Sequence, residues 1–479
     1  MTTYISTVGL EVHVQLKTKT KMFCGCEVAY GEQPNTFVCP VCLGYPGAMP
    51  VMNEEAVRLT VLTGLMLGCG ISDYSKFDRK SYFYPDMPKN YQISQYDRPL
   101  CLGGSVEIDV DGKKKNVQLK RIHLEEDVAK NMHFTASSGI DFNRAGVPLM
   151  EIVTEPDMNS PEEALAFLLA LKQILLYTGV SDCDLELGHV RCDVNGSVRP
   201  AGQVELGTKV EIKNMNTFKG VFNALKYELA RQIEVLETGG RLIQETRRWD
   251  DEKGSTFSMR SKEDAHDYRY FPEPDLMPVV LSHDMVEEWR KSLPELPAQR
   301  RERMIAEYGI PAYDAGVLAA DKAIADFFEL SARQSGNPKA VSNWVMTELL
   351  RLLSEKQKDI SGIPLTPGAL AGLVKLTDEK VLNSNTAKEV FAVLFEQGGD
   401  PAEIVRKRGL AQVSDAGAIE KMVDQAMAEN PGSVADYRAG KKAAAQRMVG
   451  QVMKMSKGKA NPRLVTEILE KRLSVETRG

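Results

Sequence analysis

The fold is decided by the stretch Gly9-Leu10-Glu11-Val12-His13-Val14-Gln15-Leu16, in which apolar and polar side chains alternate without a break. Such strict alternation predicts a half-buried β-strand, with the leucines and valines on one face. The other face carries Glu11 and His13, a carboxylate and an imidazole that can serve as metal ligands or as acid–base groups. An edge strand with one solvated face would show the same alternation, so the stretch alone leaves both interpretations open.

Length and composition are those of an ordinary soluble protein of several domains. The 479 residues are 43% hydrophobic and 26% charged, which provides ample core-forming material, and the length favours about three domains. The sequence contains no run of about 18 apolar residues that would predict a membrane span. The N-terminus, Met1-Thr2-Thr3-Tyr4, lacks the basic and apolar regions of a signal peptide. We therefore expect a cytoplasmic protein.

Changes in patterning along the chain predict an α+β protein. Residues 1–292 combine short alternating segments with a few helical ones, which indicates a mainly antiparallel sheet with flanking helices. Residues 293–407 show helical patterns punctuated by prolines and predict an all-α domain, and residues 408–479 predict a small helical tail domain. The tail is basic although the whole chain has a net charge of −6. This asymmetry fits a polyanionic partner, and it equally fits solvated helix faces.

Four of the eight cysteines are clustered in the loop of residues 24–42, as two pairs: Cys24 with Cys26, and Cys39 with Cys42. In a cytosolic chain this spacing favours a metal over disulfides. Two cysteine pairs about a dozen residues apart can close a tetrahedral zinc site. Because four thiolates leave no open coordination position, we predict a structural Zn²⁺ rather than a catalytic one.

Further alternating segments carry acids at positions where a partner is needed. In the segment 121–127, alternation places Glu126 on the apolar side, where an acid is costly unless it is paired or metal-bound. Glu151 is a single carboxylate inside the otherwise apolar segment 146–153. Asp193 belongs to the polar side of the segment 191–199. Each acid has a purely structural interpretation, but Glu126 and Glu151 can also join one metal.

If these polar faces converge, they line a basin with both signs of charge. Carboxylates hold Mg²⁺ with water completing its shell, and cationic side chains steady phosphate oxygens. The cationic candidates for binding a phosphate-bearing cofactor are Lys80, Arg191, Lys209, Lys213 and Arg260. The combination fits Mg²⁺-dependent phosphoryl transfer. No glycine-rich phosphate loop is present, so a nucleotide would be held in an unusual way.

Several long motifs are similar to those of one known family. They are the segments Val8–His13, His123–Asp127, Gly146–Val153, Arg191–Asn195, Met259–Phe271 and Val449–Lys454. These motifs resemble the B-subunit family of the aspartyl/glutamyl-tRNA amidotransferases, and the resemblance spans the whole chain. It implies a cradle-like N-terminal kinase domain, a helical domain and a small tail domain that binds tRNA.

The resemblance also implies a reaction and partners. Side-chain carboxylates of misacylated Glu-tRNA(Gln) and/or Asp-tRNA(Asn) would be phosphorylated by ATP. Ammonia from an amidase A subunit would then displace phosphate, within a heterotrimer completed by a small C subunit. The motifs assign Mg²⁺ binding to Glu11, His13, Glu126 and Glu151, and they place Glu125 and Asp193 as nearby catalytic acids. The cysteine set matches the zinc-bearing members of the family.

Two other interpretations stay open from the residues alone. The chain can be a non-catalytic tRNA-binding scaffold whose acidic basin is only a buried salt-bridge network. It can also be a free-standing ligase stabilised by zinc. No nucleophile motif of a glutaminase is present, so an enzyme of this kind that uses ammonia would receive it from another chain.

Overall fold

The computed structural model describes residues 3–261, 267–411, 416–456 and 460–475. The chain divides after Pro297 into two compact units. All named strands of the described residues lie in the first unit, and helices dominate the second. The predicted α+β class with a helical C-terminal part is therefore confirmed. Among the described residues, we find no helix with the length and apolar character needed to cross a membrane.

The secondary structure of the first unit consists mostly of strands. The strands are β1 (Tyr4–Gln15), β2 (Gly70–Ile71), β3 (Tyr74–Ser75), β4 (Asp78–Ser81), β5 (Tyr91–Ser94), β6 (Cys101–Leu102), β7 (Ser105–Val110), β8 (Lys113–Glu126), β9 (Lys130–His133), β10 (Ser138–Asp141), β11 (Pro148–Thr154), β12 (Val190–Pro200), β13 (Val210–Lys213), β14 (Glu245–Asp250), β15 (Ser255–Ser261), β16 (Phe271–Pro272) and β17 (Val279–Val280). The helices are α1 (Glu54–Met66), α2 (Pro161–Thr178), α3 (Phe218–Glu237) and α4 (His283–Lys291).

Within the described residues, a ten-stranded sheet forms the centre of this unit, in the order β15-β14-β13-β12-β1-β11-β8-β6-β2 with β7 paired to β8. Its pairs are antiparallel except for the parallel pair of β13 and β14. This agrees with the predicted, mainly antiparallel sheet. Smaller sheets pair β9 with β10, β3 with β17, and β4 with both β5 and β16.

The strand predicted from alternation, β1, lies in the middle of this sheet. It pairs with β11 on one side and with β12 on the other, so the edge-strand interpretation is wrong. Its residues Leu10, Val12 and Val14 are at most 1% exposed and belong to the core of the unit. Helices α2 and α3 contribute Phe167 and Leu225 to that same core. The helices therefore pack in the core on the apolar side of the sheet, and the polar face of β1 lies on the other side.

The second unit is built from helices. They are α5 (Pro297–Tyr308), α6 (Ala312–Leu318), α7 (Lys322–Ser335), α8 (Pro338–Trp344), a π-helical turn (Val345–Leu349), α9 (Leu350–Lys356), a 3-10 turn (Ile360–Gly362), α10 (Pro367–Asp378), α11 (Ser384–Gln397), α12 (Pro401–Arg408), α13 (Ala416–Glu429), α14 (Pro431–Arg438), α15 (Ala444–Met455) and α16 (Pro462–Val475).

The buried apolar residues of the second unit form two separate clusters. One contains Phe328 and Phe391, and the other contains Val452 and Leu469. The predicted boundary at residues 407–408 falls between the last buried residue of the first cluster, Val405, and the first of the second, Ile419, although Leu410 still packs against the first cluster. The division of the chain into domains 1–292, 293–407 and 408–479 stays a prediction.

Candidate active site

The polar side of the central sheet gathers side chains from neighbouring strands. His13 on β1 lies opposite Glu151 on β11, and Glu151 lies opposite His123 on β8. On the other side of β1, Glu11 lies opposite Asp193 on β12. Residues directly opposite each other in antiparallel strands point to the same face. The sheet thereby brings together side chains that are far apart in the sequence.

His13, Glu125 and Glu151 form the first acidic group on this face, with ligand atoms within 4.8 Å of one another. His13 Nε2 lies 3.6 Å from Glu125 Oε1 and 3.5 Å from Glu151 Oε2. His123 Nε2 lies 3.4 Å from the same Glu151 oxygen. Glu125 Oε2 is buried and has no hydrogen-bond partner among the described residues. A buried carboxylate oxygen without a donor is an atom that a divalent cation can satisfy.

Glu11, Asp193 and Glu211 form the second acidic group, again with ligand oxygens within 4.8 Å of one another. Lys213 donates a hydrogen bond to Asp193, and its Nζ lies 3.2 Å from Glu211 Oε1. Asn195 Nδ2 donates to Glu11 Oε1 at 3.1 Å. One lysine therefore faces three carboxylates. A hard divalent cation bound through oxygen would balance the remaining charge.

The charges of the two acidic groups shift the pKa values of each other's side chains. Burial and repulsion from Glu151 and Asp193 raise the pKa of Glu11 above its ordinary value. Burial lowers the pKa of His13, but a hydrogen bond and attraction to Glu151 outweigh it and raise the pKa to about 9. Burial raises the pKa of Glu151, but attraction to His123 and His13 outweighs it and holds the pKa well below its usual range. The excess negative charge of this face thus attracts either protons or divalent cations.

Members of both groups line one cavity of ≈ 770 Å³, a volume in the range of small-molecule and cofactor sites. Lys80 also lines it, with Nζ 5.0 Å from the centroid of the Tyr268 ring. Burial lowers the pKa of Lys80, but attraction to Glu125 and other nearby groups raises it above the usual value. The rings of Tyr96 and Tyr270 stack on the same wall with centroids 4.2 Å apart. The cavity therefore combines cations, acids and aromatic surface.

Most of the predicted catalytic residues lie on this face, in two groups of ligand atoms. The residues Glu11, His13 and Glu151, predicted as ligands of one Mg²⁺, are divided between two groups. Glu125, predicted as a nearby acid, is a full member of the first group. Asp193, also predicted as a nearby acid, is a full member of the second.

Glu126 is not a member of either group, because it points to the opposite side of the sheet from Glu125. Its Oε2 accepts a hydrogen bond from Lys89 Nζ at 2.6 Å, and its Oε1 accepts one from the backbone N of Ile93 at 2.9 Å. Successive residues of a strand face opposite ways. The alternation that joins Glu125 to His123 therefore puts Glu126 on the apolar side, as predicted, and separates it from the residues with which it was predicted to share a Mg²⁺ ion.

Two of the five cations predicted to bind phosphate line the cavity, Lys80 and Lys213. Arg191 is instead held by Asp127, with Nη2 2.8 Å from Oδ2. Lys209 is exposed, one residue before β13. The side chain of Arg260 lies outside the described residues.

The cavity is also lined by two residues that the sequence reasoning did not select although they share the face of selected ones, His123 and Glu211. Both follow the alternation that identified their neighbours, since His123 shares a face with Glu125, and Glu211 shares one with Lys213. That signal was present in the sequence. The strand order that places β8 beside β11 and β13 beside β12 could not be read from the sequence.

The four clustered cysteines lie together, as their spacing predicts. Their sulfur atoms are within 4.8 Å of one another. Cys42 Sγ lies 4.0 Å from the sulfur of Cys26 and 3.9 Å from that of Cys39. Tetrahedral zinc with bonds of about 2.3 Å holds its sulfurs about 3.8 Å apart. The cluster therefore fits a zinc ion after only a small contraction.

Two family models match the chain: the GatB/GatE catalytic domain over residues 6–287 and the GatB domain over residues 326–473. The chain belongs to the GatB/GatE family. The aspartyl/glutamyl-tRNA(Asn/Gln) amidotransferase B subunit of Thermoanaerobacter sp. (strain X514) is 54% identical over 472 residues, which are 98% of this chain and 99% of the relative. The proteins of the same name from Carboxydothermus hydrogenoformans and Syntrophotalea carbinolica are 52% and 50% identical, over 99% of this chain and 100% and 99% of theirs. The predicted family resemblance is confirmed, and both acidic groups lie within the catalytic-domain match of the GatB/GatE family.

Proposed function

We propose that this chain is the catalytic B subunit of a tRNA-dependent amidotransferase. Its substrates are Glu-tRNA(Gln), Asp-tRNA(Asn) or both, together with ATP. An amidase A subunit supplies ammonia, and a small C subunit completes a heterotrimer in the cytoplasm. The names of the relatives support tRNA-dependent amidotransfer. The phosphorylation step is supported by one observation: members of two acidic groups and three lysines, Lys80, Lys120 and Lys213, line a single cavity.

The chemistry proceeds in two displacements. A carboxylate is a poor electrophile, so an oxygen of the aminoacyl side chain first attacks the γ-phosphorus of ATP. The bond from that phosphorus to its bridging oxygen breaks, ADP leaves, and an acyl phosphate forms. Neutral ammonia then attacks the acyl carbon, the carbon–oxygen bond to phosphate breaks, and a proton is lost. The products are the amide and inorganic phosphate, and an enclosed site keeps water from competing with ammonia.

The residues of the cavity divide this work. The first and the second acidic group would each hold a divalent cation. Mg²⁺ in such sites neutralises phosphate charge and aligns phosphate oxygens. Lys80 and Lys213 face the same cavity and can bind phosphate oxygens directly. The stacked tyrosines offer a surface for the apolar faces of a nucleoside.

Outside the cavity, we assign structural and binding roles. The cysteine cluster holds a structural Zn²⁺, because its four thiols leave no position open for chemistry. On α15, Arg447 and Lys454 are exposed, seven residues apart and therefore on one side of the helix. They provide a surface for the phosphate backbone of tRNA. Of the other basic residues of the tail, Lys457 and Lys459 lie outside the described residues.

The decisive experiment measures ATP consumption driven by Glu-tRNA(Gln) in the assembled complex, with ammonium chloride replacing glutamine. We expect Glu151→Gln to lower the rate at least about 100-fold while tRNA binding and assembly stay unchanged. The matched control is Glu107→Gln, which removes an exposed carboxylate on β7. Undiminished turnover in Glu151→Gln would favour the scaffold function. Turnover by the isolated chain with free ammonium would favour the free-standing ligase.

A further inference from the structure

Lys21 is a buried cation beside the cysteine cluster. Its side chain is 0% exposed, although lysine is almost never fully buried unless it is paired. Among the described residues, its Nζ contacts the sulfur of Cys42 at 3.6 Å and the carbonyl oxygen of Phe142 at 3.3 Å. It forms no ion pair with a carboxylate in the part of the chain that the structure describes. Among the groups that this ammonium contacts directly, the one that can carry a negative charge is therefore the sulfur of Cys42.

When it is loaded with metal, the cysteine cluster carries a negative charge that a nearby cation would balance. Four thiolates around Zn²⁺ carry a net charge of −2, and Cys42 is only 4% exposed. Water screens charge poorly in such a place, so a nearby cation stabilises the thiolates strongly. The positive charge of Lys21 and the negative charge of the zinc-loaded cluster therefore balance each other.

We propose that Lys21 is the counter-cation of the metal-loaded cysteine cluster, and that its contact with Cys42 determines how firmly Zn²⁺ is retained. This inference rests on the zinc assignment proposed above. Lys21 also connects the cluster to the turn that leads into β11: it contacts the carbonyl of Phe142, and the backbone N of Met22 donates to Gly146 O at 2.7 Å. Loss of zinc would leave an unpaired ammonium group against that turn.

The test compares zinc retention in complexes that carry Lys21→Met or Lys19→Met. Lys19 is an exposed lysine two residues away and serves as the matched control. Zinc release to an excess of a chromophoric chelator is followed by absorbance. We expect Lys21→Met to release zinc at least about tenfold faster than the wild type, because the thiolates lose a buried cation. Lys19→Met should release it at the wild-type rate.

A spectroscopic measurement separates an electrostatic role from simple packing. With Co²⁺ in place of zinc, we expect the sulfur-to-metal charge-transfer band of Lys21→Met to move to lower energy, because the sulfur of Cys42 loses a donor. If Lys21→Met does not fold, Lys21→Gln keeps an N–H donor without the charge and should still release zinc faster. Wild-type release and an unshifted cobalt band in the folded variant would overturn the role of Lys21. Absence of bound zinc and of cobalt–thiolate bands in the wild type would overturn the zinc assignment instead.

Discussion

His13 and Glu151 face each other directly across β1 and β11, with His13 Nε2 3.5 Å from Glu151 Oε2. The same Glu151 oxygen lies 3.4 Å from Nε2 of His123 on the next strand. A carboxylate between two imidazoles is strongly stabilised in its charged form. Glu151 therefore stays ionised and available as a ligand, and the first acidic group is organised around it.

Removal of the orphaned carboxylate of Glu125 should abolish chemistry without unfolding the protein. Its Oε2 has no donor among the described residues, so Glu125→Gln breaks no hydrogen bond at that atom. We expect tRNA-driven ATP consumption to fall at least about 100-fold, which corresponds to the loss of one cation ligand. The measurement is the initial rate of ADP formation, with the melting temperature as the control. A rate within twofold of wild type would show that Glu125 does not bind the cation.

Substitution of the neighbouring acid, Glu126, should lower the stability of the protein. Glu126 is 2% exposed and pairs with Lys89, whose side chain is 10% exposed. Glu126→Gln leaves that lysine buried without its partner, so we expect a loss of about 3–5 kcal/mol of unfolding free energy. Thermal or denaturant unfolding measures the loss, and Lys89→Met in the Glu126→Gln background should recover part of it. Unchanged stability combined with lost ATP consumption would return Glu126 to the catalytic set.

The second acidic group should determine the requirement for divalent cation. Asp193→Asn removes one of three carboxylates, and we expect the Mg²⁺ concentration for half-maximal activity to rise about tenfold. Titration of Mg²⁺ at saturating ATP measures this shift. Glu205→Gln, which alters an exposed acid before β13, should leave the titration unchanged. An unaltered Mg²⁺ requirement in Asp193→Asn would exclude this group as a cation site.

In the second unit, Glu329 should make stability depend on acid pH. Burial raises the pKa of Glu329, but hydrogen bonds from Arg303 and Arg300 at 2.8 Å outweigh it and hold the pKa below its ordinary value of 4.5. A lowered folded pKa means that the contribution is complete above pH 4.5 and is lost as the pH falls through the folded pKa. We expect the melting temperature to fall with acid more steeply in the wild type than in Glu329→Gln. If the melting temperatures of the wild type and of Glu329→Gln fell equally with pH, the ion pairs of Glu329 with Arg300 and Arg303 would not contribute to stability.

The tail should contribute to tRNA affinity mainly through phosphate contacts. Reversing the charge of Arg447 and Lys454 should weaken binding and reduce the slope of log affinity against log salt by about one for every phosphate that is no longer neutralised. Filter binding at several salt concentrations measures the slope. Lys358→Glu, at an exposed position outside the tail, is the matched control. A slope equal to that of the wild type would place the tRNA-binding surface elsewhere.

Periodicity reveals which face each residue occupies, but not which strands become neighbours. Alternation places Glu11 and His13 on the polar face of β1, and spacing alone predicts that the cysteines cluster. The pairing of β1 with β11 and β12 depends on contacts between residues far apart in the chain, which a local pattern does not encode. For this reason, His123 and Glu211 were not selected. The partner of Glu126 could not be predicted for the same reason, because Lys89 is 37 residues away along the chain.

Glu125 and Glu126 are consecutive in β8, yet Glu125 belongs to the first acidic group and Glu126 forms an ion pair on the other side of the sheet. Insertion or deletion of a single residue between the β7–β8 turn and this point would turn each acid to the opposite face of the sheet. The hairpin turn at Asp111 and Gly112, where both residues have positive φ, lies upstream of that paired stretch. Within the β7–β8 hairpin, an inserted tag or label should therefore be tolerated at this turn and not in the following part of β8.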